Sequence, residues 1–352
     1  MTLRDEILEQ PDAAGRQLGS SSGDIEALAE RLRAHPVASV VIAARGTSDH
    51  AAIYAQYVLG VRNGLSVGLA TPSVVSLYGA EPRVRDSLVI GISQSGASPD
   101  IVGVVAAAAR QGAPTLAITN DASSPLAEAA DFVIDLAAGP ELAIAATKTY
   151  TTSLLAIARL SLALDPSTDA ASDDAAALAR IPRAMAEALE VEPAVAALAR
   201  ELAAGPGSMD GCVIVGRGFE YATAREWALK LKELGRVFAD PYSAADFLHG
   251  PIALVEAGVP VLVLAPEGRA AAGQLELLRD LRGRDVDTVV VSDVASTREL
   301  GRWSIAIPAG VPEWLRPVVS IVPAQLFAYH LTLARGLDPD KPRYISKVTR
   351  TT

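Results

Sequence analysis

Ser87-Leu88-Val89-Ile90-Gly91-Ile92-Ser93-Gln94-Ser95-Gly96-Ala97-Ser98-Pro99 reads as a strand, a hydroxyl-rich turn and a helix start in one continuous stretch. The apolar run Ser87 to Ile92 shows no polar alternation. Such a run fits a strand buried on both faces, in a parallel sheet covered by helices. Ser98 suits a helix N-cap and Pro99 the first helical position. Gly112 suits the end of a helix running from Pro99 to Gln111.

The same alternation continues outward. Val37 to Ala43 is apolar apart from Ser39 and ends at Arg45-Gly46-Thr47-Ser48, before a helical pattern from about Asp49 to Leu59. Pro114 to Thr119 and Asp131 to Leu136 read as strands, and Tyr150 to Leu164 as a long apolar helix. Strands alternating with helices predict an α/β fold with a doubly wound parallel sheet. The second half repeats the plan. Gly211 to Val215 is a strand ending in Gly216-Arg217-Gly218-Phe219-Glu220, followed by a helix from about Tyr221 to Leu234. Val259 to Ala265 and Thr288 to Ser292 are further strands. Ala44 to Ala51 aligns with Gly216 to Thr223, and Ile92 to Ala97 with Leu264 to Arg269, which points to an internal duplication. The expected division is an N-terminal segment 1–22, a first domain 23–165, a connecting helix 166–196, a second domain 197–338 and a tail 339–352.

Composition narrows the function. The chain has 352 residues, 50% of them hydrophobic and 20% charged, so it affords a sizeable core and is not a disordered segment. Its net charge of −10 and the lack of a basic tract argue against extended nucleic-acid binding, which draws on neutralised phosphates. The single cysteine, Cys212, lies in the apolar run Cys212-Val213-Ile214-Val215, so neither a disulfide framework nor a cysteine zinc site is expected. The polar opening Met1 to Glu6 and the lack of a long uninterrupted apolar stretch predict no signal region and no membrane span, hence a cytoplasmic protein. No metal or organic cofactor is expected, because the His and carboxylate residues show no ligand spacing.

Two groups of residues carry candidate chemistry. The loop Ser93 to Ser98 offers backbone N–H groups, a helix N-terminus and three hydroxyls, which suits a dianionic phosphate. Thr47 and Ser48, on the neighbouring strand-to-helix turn, add two hydroxyls, and ligands of open parallel sheets sit at such strand ends. The aligned loop of the second half has Pro266-Glu267 instead, so one phosphate site per chain is expected. In the second half, Lys230 and Glu233 are three residues apart on one helix face, which fits a surface ion pair or a base set by an ammonium. His249, in Phe247-Leu248-His249-Gly250-Pro251, sits on a defined turn. His35, His50 and His330 read as surface or helix residues.

On these residues the chain resembles the SIS (sugar isomerase) superfamily. The closer resemblance is to the isomerase portion of glucosamine-6-phosphate synthase and its relatives lacking the glutaminase domain. It covers nearly the whole chain: Glu6 to Pro11, Gly46-Thr47-Ser48, Ser93 to Gly96, Glu141 with Thr147-Lys148, Ala228 to Glu233, His249-Gly250-Pro251, and Asp340 to Arg343 followed by Lys347. The resemblance implies two tandem SIS domains of flavodoxin-like layering. It implies that Thr47, Ser48, Ser93, Gln94, Ser95 and Ser98 hold a sugar phosphate, and that Glu233 moves a proton between C1 and C2. Lys230 would sit near that end of the open sugar. His249, supplied by a neighbouring subunit of a homodimer, would assist ring opening, and Lys347 would reach the carbonyl and form an imine. Such a proton shuttle is ordinary carboxylate chemistry next to C=O or C=N.

The departures concern the sugar. Ala97-Ser98 stands where the synthase has Glu-Thr, Ala146 where it has Ser, and Asp246 where it has Glu. The chain begins Met1-Thr2, not with the synthase's cysteine, so glutamine hydrolysis is not expected. Three functions stay open: deamination and isomerisation of glucosamine 6-phosphate to fructose 6-phosphate; a fructosamine-6-phosphate deglycase or ketose–aldose isomerase; and a non-enzymatic sugar-phosphate sensor.

Overall fold

Five strands form the sheet of the first half: β1 (Ser39–Ala43), β2 (Ser66–Leu69), β3 (Ser87–Ile92), β4 (Thr115–Thr119) and β5 (Phe132–Asp135). They pair in parallel in the order β2-β1-β3-β4-β5. β3 and β4 are buried at every residue, as interior strands of a covered sheet must be. The second half builds β6 (Gly211–Gly216), β7 (Phe238–Ser243), β8 (Val261–Leu264), β9 (Thr288–Ser292) and β10 (Trp303–Ala306), all parallel, in the order β10-β9-β8-β6-β7. Counted from the start of its own half, each sheet has the same order, 2-1-3-4-5. That is the flavodoxin-like winding, and its ligand crevice lies between the first and third strands. The computed structural model describes residues 1–165, 171–205, 209–255 and 258–347.

Three strands carry no clear signal in the sequence: β2, β7 and β10. Each lies at a sheet edge. Edge strands face solvent on one side and tolerate polar residues and proline, so Gly68 and Pro241 interrupt the apolar pattern there. The expected single connecting helix is also different. Helices run over Ala171–Ala179, Ile181–Leu189 and Glu192–Ala204, with Pro182 and Pro193 at the starts of the latter two. Proline fits a first helical turn and breaks a continuing one. Residues 166–170 of the expected connector lie outside the described residues.

The chain forms two compact units, and they are not cut where a linear division puts them. One comprises Met1–Pro11, Leu142–Thr147 and Arg180–Ile345; the other comprises Asp12–Glu141, Lys148–Ala179 and the tail from Ser346. Within the first of these, fully buried Glu6 accepts the N–H groups of Leu142 and Ala143. Gln10 donates to the Gln325 side chain at 2.8 Å, and Leu3 N–H to Asp340 Oδ1 at 2.6 Å. The Glu6 to Pro11 stretch and Asp340 therefore act as structural ties.

Helix Arg316–Ala334 has 19 residues and a mean hydropathy of 1.3, long and apolar enough by composition to cross a membrane. It is instead a core helix, 78% buried over that window, with Phe327 edge-on to Trp227 at 5.6 Å. The core of each sheet is aliphatic: Val89, Val105 and Leu126 in one, Val215, Val263 and Leu278 in the other.

Candidate active site

The loop after β3 is an amide-lined cradle. Gly96 N–H donates to both Ser93 O and Ser93 Oγ at 3.2 Å, and Ala97 N–H to Ser95 Oγ at 3.3 Å. The N–H groups of Gln94, Ser95 and Ser98 donate to nothing among the described residues. Gly96 turns the loop at φ 59°, where a Cβ would collide with Ser124. Only glycine lets the loop lie this close to its neighbour. Ser98 occupies the N-cap position of helix Pro99–Arg110, yet its hydroxyl makes no capping bond. The sequence assigned Ser98 both the cap and the phosphate; the structure places it at the cap position without the capping bond. Across the crevice, Gly46 at φ 56° opens helix Thr47–Asn63, which places Thr47 and Ser48 in its first turn, both half-buried.

The sequence reading missed a charge pair at this mouth. Asp100, in the first turn of helix Pro99–Arg110, is buried and accepts from Arg45 Nε at 2.9 Å. Arg45 thereby balances a carboxylate that would otherwise repel an anion at the helix terminus.

The same unit holds Lys347. Its Nζ lies 3.0 Å from Oε2 of Glu141, whose side chain is closed to solvent. Glu141 also accepts Thr149 N–H at 3.1 Å and Thr149 Oγ1 at 2.8 Å. Glu141 stood in the sequence motif without a role; it is the anchor of Lys347.

Lys230, Glu233 and His249 belong to the other unit. The helix expected to run to Leu234 is α-helical only over Glu220–Lys230. It then widens into a π turn, Leu231–Gly235, and stops at left-handed Arg236 (φ 56°). π turns concentrate at functional sites, and this one carries Glu233. Lys230 Nζ lies 2.6 Å from Glu233 Oε2 and 3.4 Å from Glu226 Oε1. The Lys230 and Glu226 side chains are closed to solvent, whereas Glu233 keeps 23% exposure. The pair is thus no surface ion pair. Burial acts to lower the Lys230 pKa, but the Glu226 and Glu233 carboxylates outweigh it and hold the ammonium well above its ordinary range. The ammonium holds the Glu233 side chain in place at the edge of the buried cluster. Glu226 was not singled out in sequence, although its i,i+4 spacing from Lys230 was there to be read.

His249 ends the short helix Ala244–Leu248, exposed, with its N–H on Asp246 O at 3.1 Å. Its ring makes no hydrogen bond among the described residues.

These two glycine-turned sheets, one with a hydroxyl-and-amide cradle, define a duplicated sugar-isomerase fold. Residues 35–163 and 210–335 match the SIS domain, and the chain belongs to the SIS domain family. It is 34% identical over 348 residues to glutamine–fructose-6-phosphate aminotransferase (isomerizing) of Thermococcus kodakarensis, covering 97% of this chain and 56% of that protein. The chain thus spans little more than half the length of such relatives. Among solved structures it is similar to the C-terminal domain of glucosamine-fructose-6-phosphate aminotransferase from Francisella tularensis (TM-score 0.86, 25% identity, 97% of this chain and 98% of that one). A Silicibacter pomeroyi protein provisionally called a phosphosugar isomerase matches with TM-score 0.80 and 35% identity, over 97% of this chain and 100% of that one.

Proposed function

We propose that the chain is a sugar-phosphate aldose–ketose isomerase that deaminates glucosamine 6-phosphate, giving fructose 6-phosphate and ammonia with uptake of one water. The observation that carries this reading is Glu233: a partly exposed carboxylate on a π turn, fixed at 2.6 Å by a buried, permanently charged Lys230. A positioned carboxylate of this kind suits proton transfer next to a carbonyl.

In this reading the free N–H groups of Gln94, Ser95 and Ser98, with the hydroxyls of Thr47, Ser48, Ser93, Ser95 and Ser98, take the phosphate. His249, exposed on its own chain, serves ring opening in the site of a second copy. Glu233 removes the C2 proton of the open aldose and returns a proton to C1. The product is a ketose imine at C2, with the former aldehyde oxygen now a hydroxyl. Water adds to C2 and ammonia leaves. Lys347, tethered by Glu141, faces the sugar carbonyl. The only thiol in these 352 residues, Cys212, is buried in β6, and burial pushes its pKa up to about 12. A buried, protonated thiol is a poor nucleophile, so Cys212 does not serve glutamine hydrolysis in this reading.

The test is to incubate the protein with glucosamine 6-phosphate and to measure ammonia and fructose 6-phosphate together. Equal release of both is expected. Release of neither, with turnover of a phosphorylated fructosamine or of a ketose phosphate, would move the reading to a deglycase or simple isomerase. Binding of sugar phosphates without any turnover would make the chain a sensor.

A further inference from the structure

β6 and β8 are neighbours as β1 and β3 are, so the second sheet has its own crevice at the corresponding place. The turn after β6 repeats the left-handed glycine, Gly218 at φ 61° against Gly46 at φ 56°. At aligned positions, however, Thr47 and Ser48 become Phe219 and Glu220, and Ser95-Gly96-Ala97 becomes Glu267-Gly268-Arg269.

In the first half the Ser95 N–H has no acceptor among the described residues; in the second half the aligned donors are taken by carboxylates. Glu267 N–H donates to Asp293 Oδ1 at 2.8 Å and Arg269 N–H to Glu313 Oε1 at 3.0 Å. A Cβ on Gly268 would lie 2.7 Å from both Cδ and Oε1 of Glu313, so that carboxylate rests directly on the loop backbone. Buried Arg316 supplies a cation, 3.4 Å from Asp293 Oδ2. Beside this cluster a residual cavity of about 10 Å³ is lined by Arg217, Glu220, Gln274 and Arg316 among others. Three side chains more than nine-tenths buried border it with polar atoms unpaired: Glu220 Oε2, Gln274 Oε1 and Arg316 Nε. Buried polar atoms are normally satisfied; of these three, Arg316 Nε is a donor of the kind an anion needs, while Glu220 Oε2 and Gln274 Oε1 are acceptors that call for a donor such as water.

We propose that the second crevice is an anion cradle whose resident ligands are the chain's own carboxylates, Asp293 and Glu313, standing where phosphate oxygens would bind. Wild-type protein is closed there. Removal of the Glu313 carboxylate frees the Arg269 N–H and unblocks the face of Gly268, so the site takes a phosphate anion beside the Arg316 guanidinium. On this reading a filled loop adds to the Glu267 carboxylate as a reason for a single phosphate site per chain.

Equilibrium dialysis against labelled inorganic phosphate tests this on the full chain. Glu313→Ala is expected to bind one phosphate more per chain than wild type. Glu313→Gln keeps an acceptor on the Arg269 N–H and is expected to bind no more than wild type. The readout is the increment, so it holds even if the Ser93–Ser98 loop binds no phosphate. Equal binding by wild type and a folded Glu313→Ala would overturn the proposal. Should that variant not fold, the Arg269 amide proton of wild type decides. Its exchange with solvent deuterium is expected to be slower than that of the Ser95 amide, which has no acceptor among the described residues; equal exchange would count against Glu313 as the resident ligand.

Discussion

After β1 the chain turns through Gly46 into 17 residues of α-helix; after β6 it turns through Gly218 into 11, and then into the π turn of Glu233. The strand order around both turns is the same. One crevice keeps three amides, of Gln94, Ser95 and Ser98, that donate to nothing among the described residues; in the other, the Glu267 and Arg269 amides are bound to Asp293 and Glu313. A shared topology thus fixes where a ligand can sit, while a few residues at strand ends decide whether one does. The first half carries the hydroxyl-and-amide loop, and the second carries instead a buried charge cluster around Lys230. Both devices rest on local backbone exceptions, a left-handed glycine or a widened helical turn.

The largest expected effect comes from breaking the cluster that distinguishes the second half. Lys230→Met leaves Glu226 buried without its cation, and should cost about 3–5 kcal/mol in denaturant unfolding. Unchanged stability would mean that the ammonium does not hold this turn together. The two loop glycines offer a sharper contrast. Gly96→Ala forces a side chain onto Ser124 and distorts the free amides, so KM for the sugar phosphate should rise roughly ten- to hundredfold, the scale of hydrogen bonds to a charged group. Gly268→Ala meets Glu313 instead, and should lower the melting temperature while leaving KM within about twofold. Equal effects on KM would erase the distinction between the two crevices.

The smallest effect is pH-dependent. Burial raises the Glu220 carboxyl above its ordinary range, against the opposing Ser320 hydrogen bond and Arg316 charge. Below the unfolded-chain value both states are protonated and nothing is lost. As pH rises past it, the unfolded chain ionises first and stability falls until the folded-state value is passed. Glu220→Gln should therefore leave the melting temperature nearly unchanged near pH 4 and raise it at neutral pH. A gain at low pH alone would contradict this assignment.

The interior strands were legible because burial on both faces writes an unbroken apolar run; Ser87–Ile92 and Thr288–Ser292 have the bounds that the runs predict. Edge strands such as Phe238–Ser243 were not, since their residues answer to solvent as much as to a core. The Ser93–Ser98 loop and the Lys230–Glu233 spacing were visible as residue types at short range. Glu226 and the Arg45–Asp100 pair are contacts that spacing or folding creates without a distinctive motif. The clasp of Glu141 on Lys347 joins residues 206 apart, a distance no local pattern spans. The π turn leaves no mark in the helical periodicity before it.

In the proposed reaction Glu233 moves the proton while the Ser93–Ser98 loop holds the phosphate. Glu233→Gln measured with glucosamine 6-phosphate tests it most directly, with turnover and calorimetric affinity taken on the same preparation. A kcat lower by about 100-fold or more is expected, with affinity within about twofold of wild type. Near-normal turnover would contradict it.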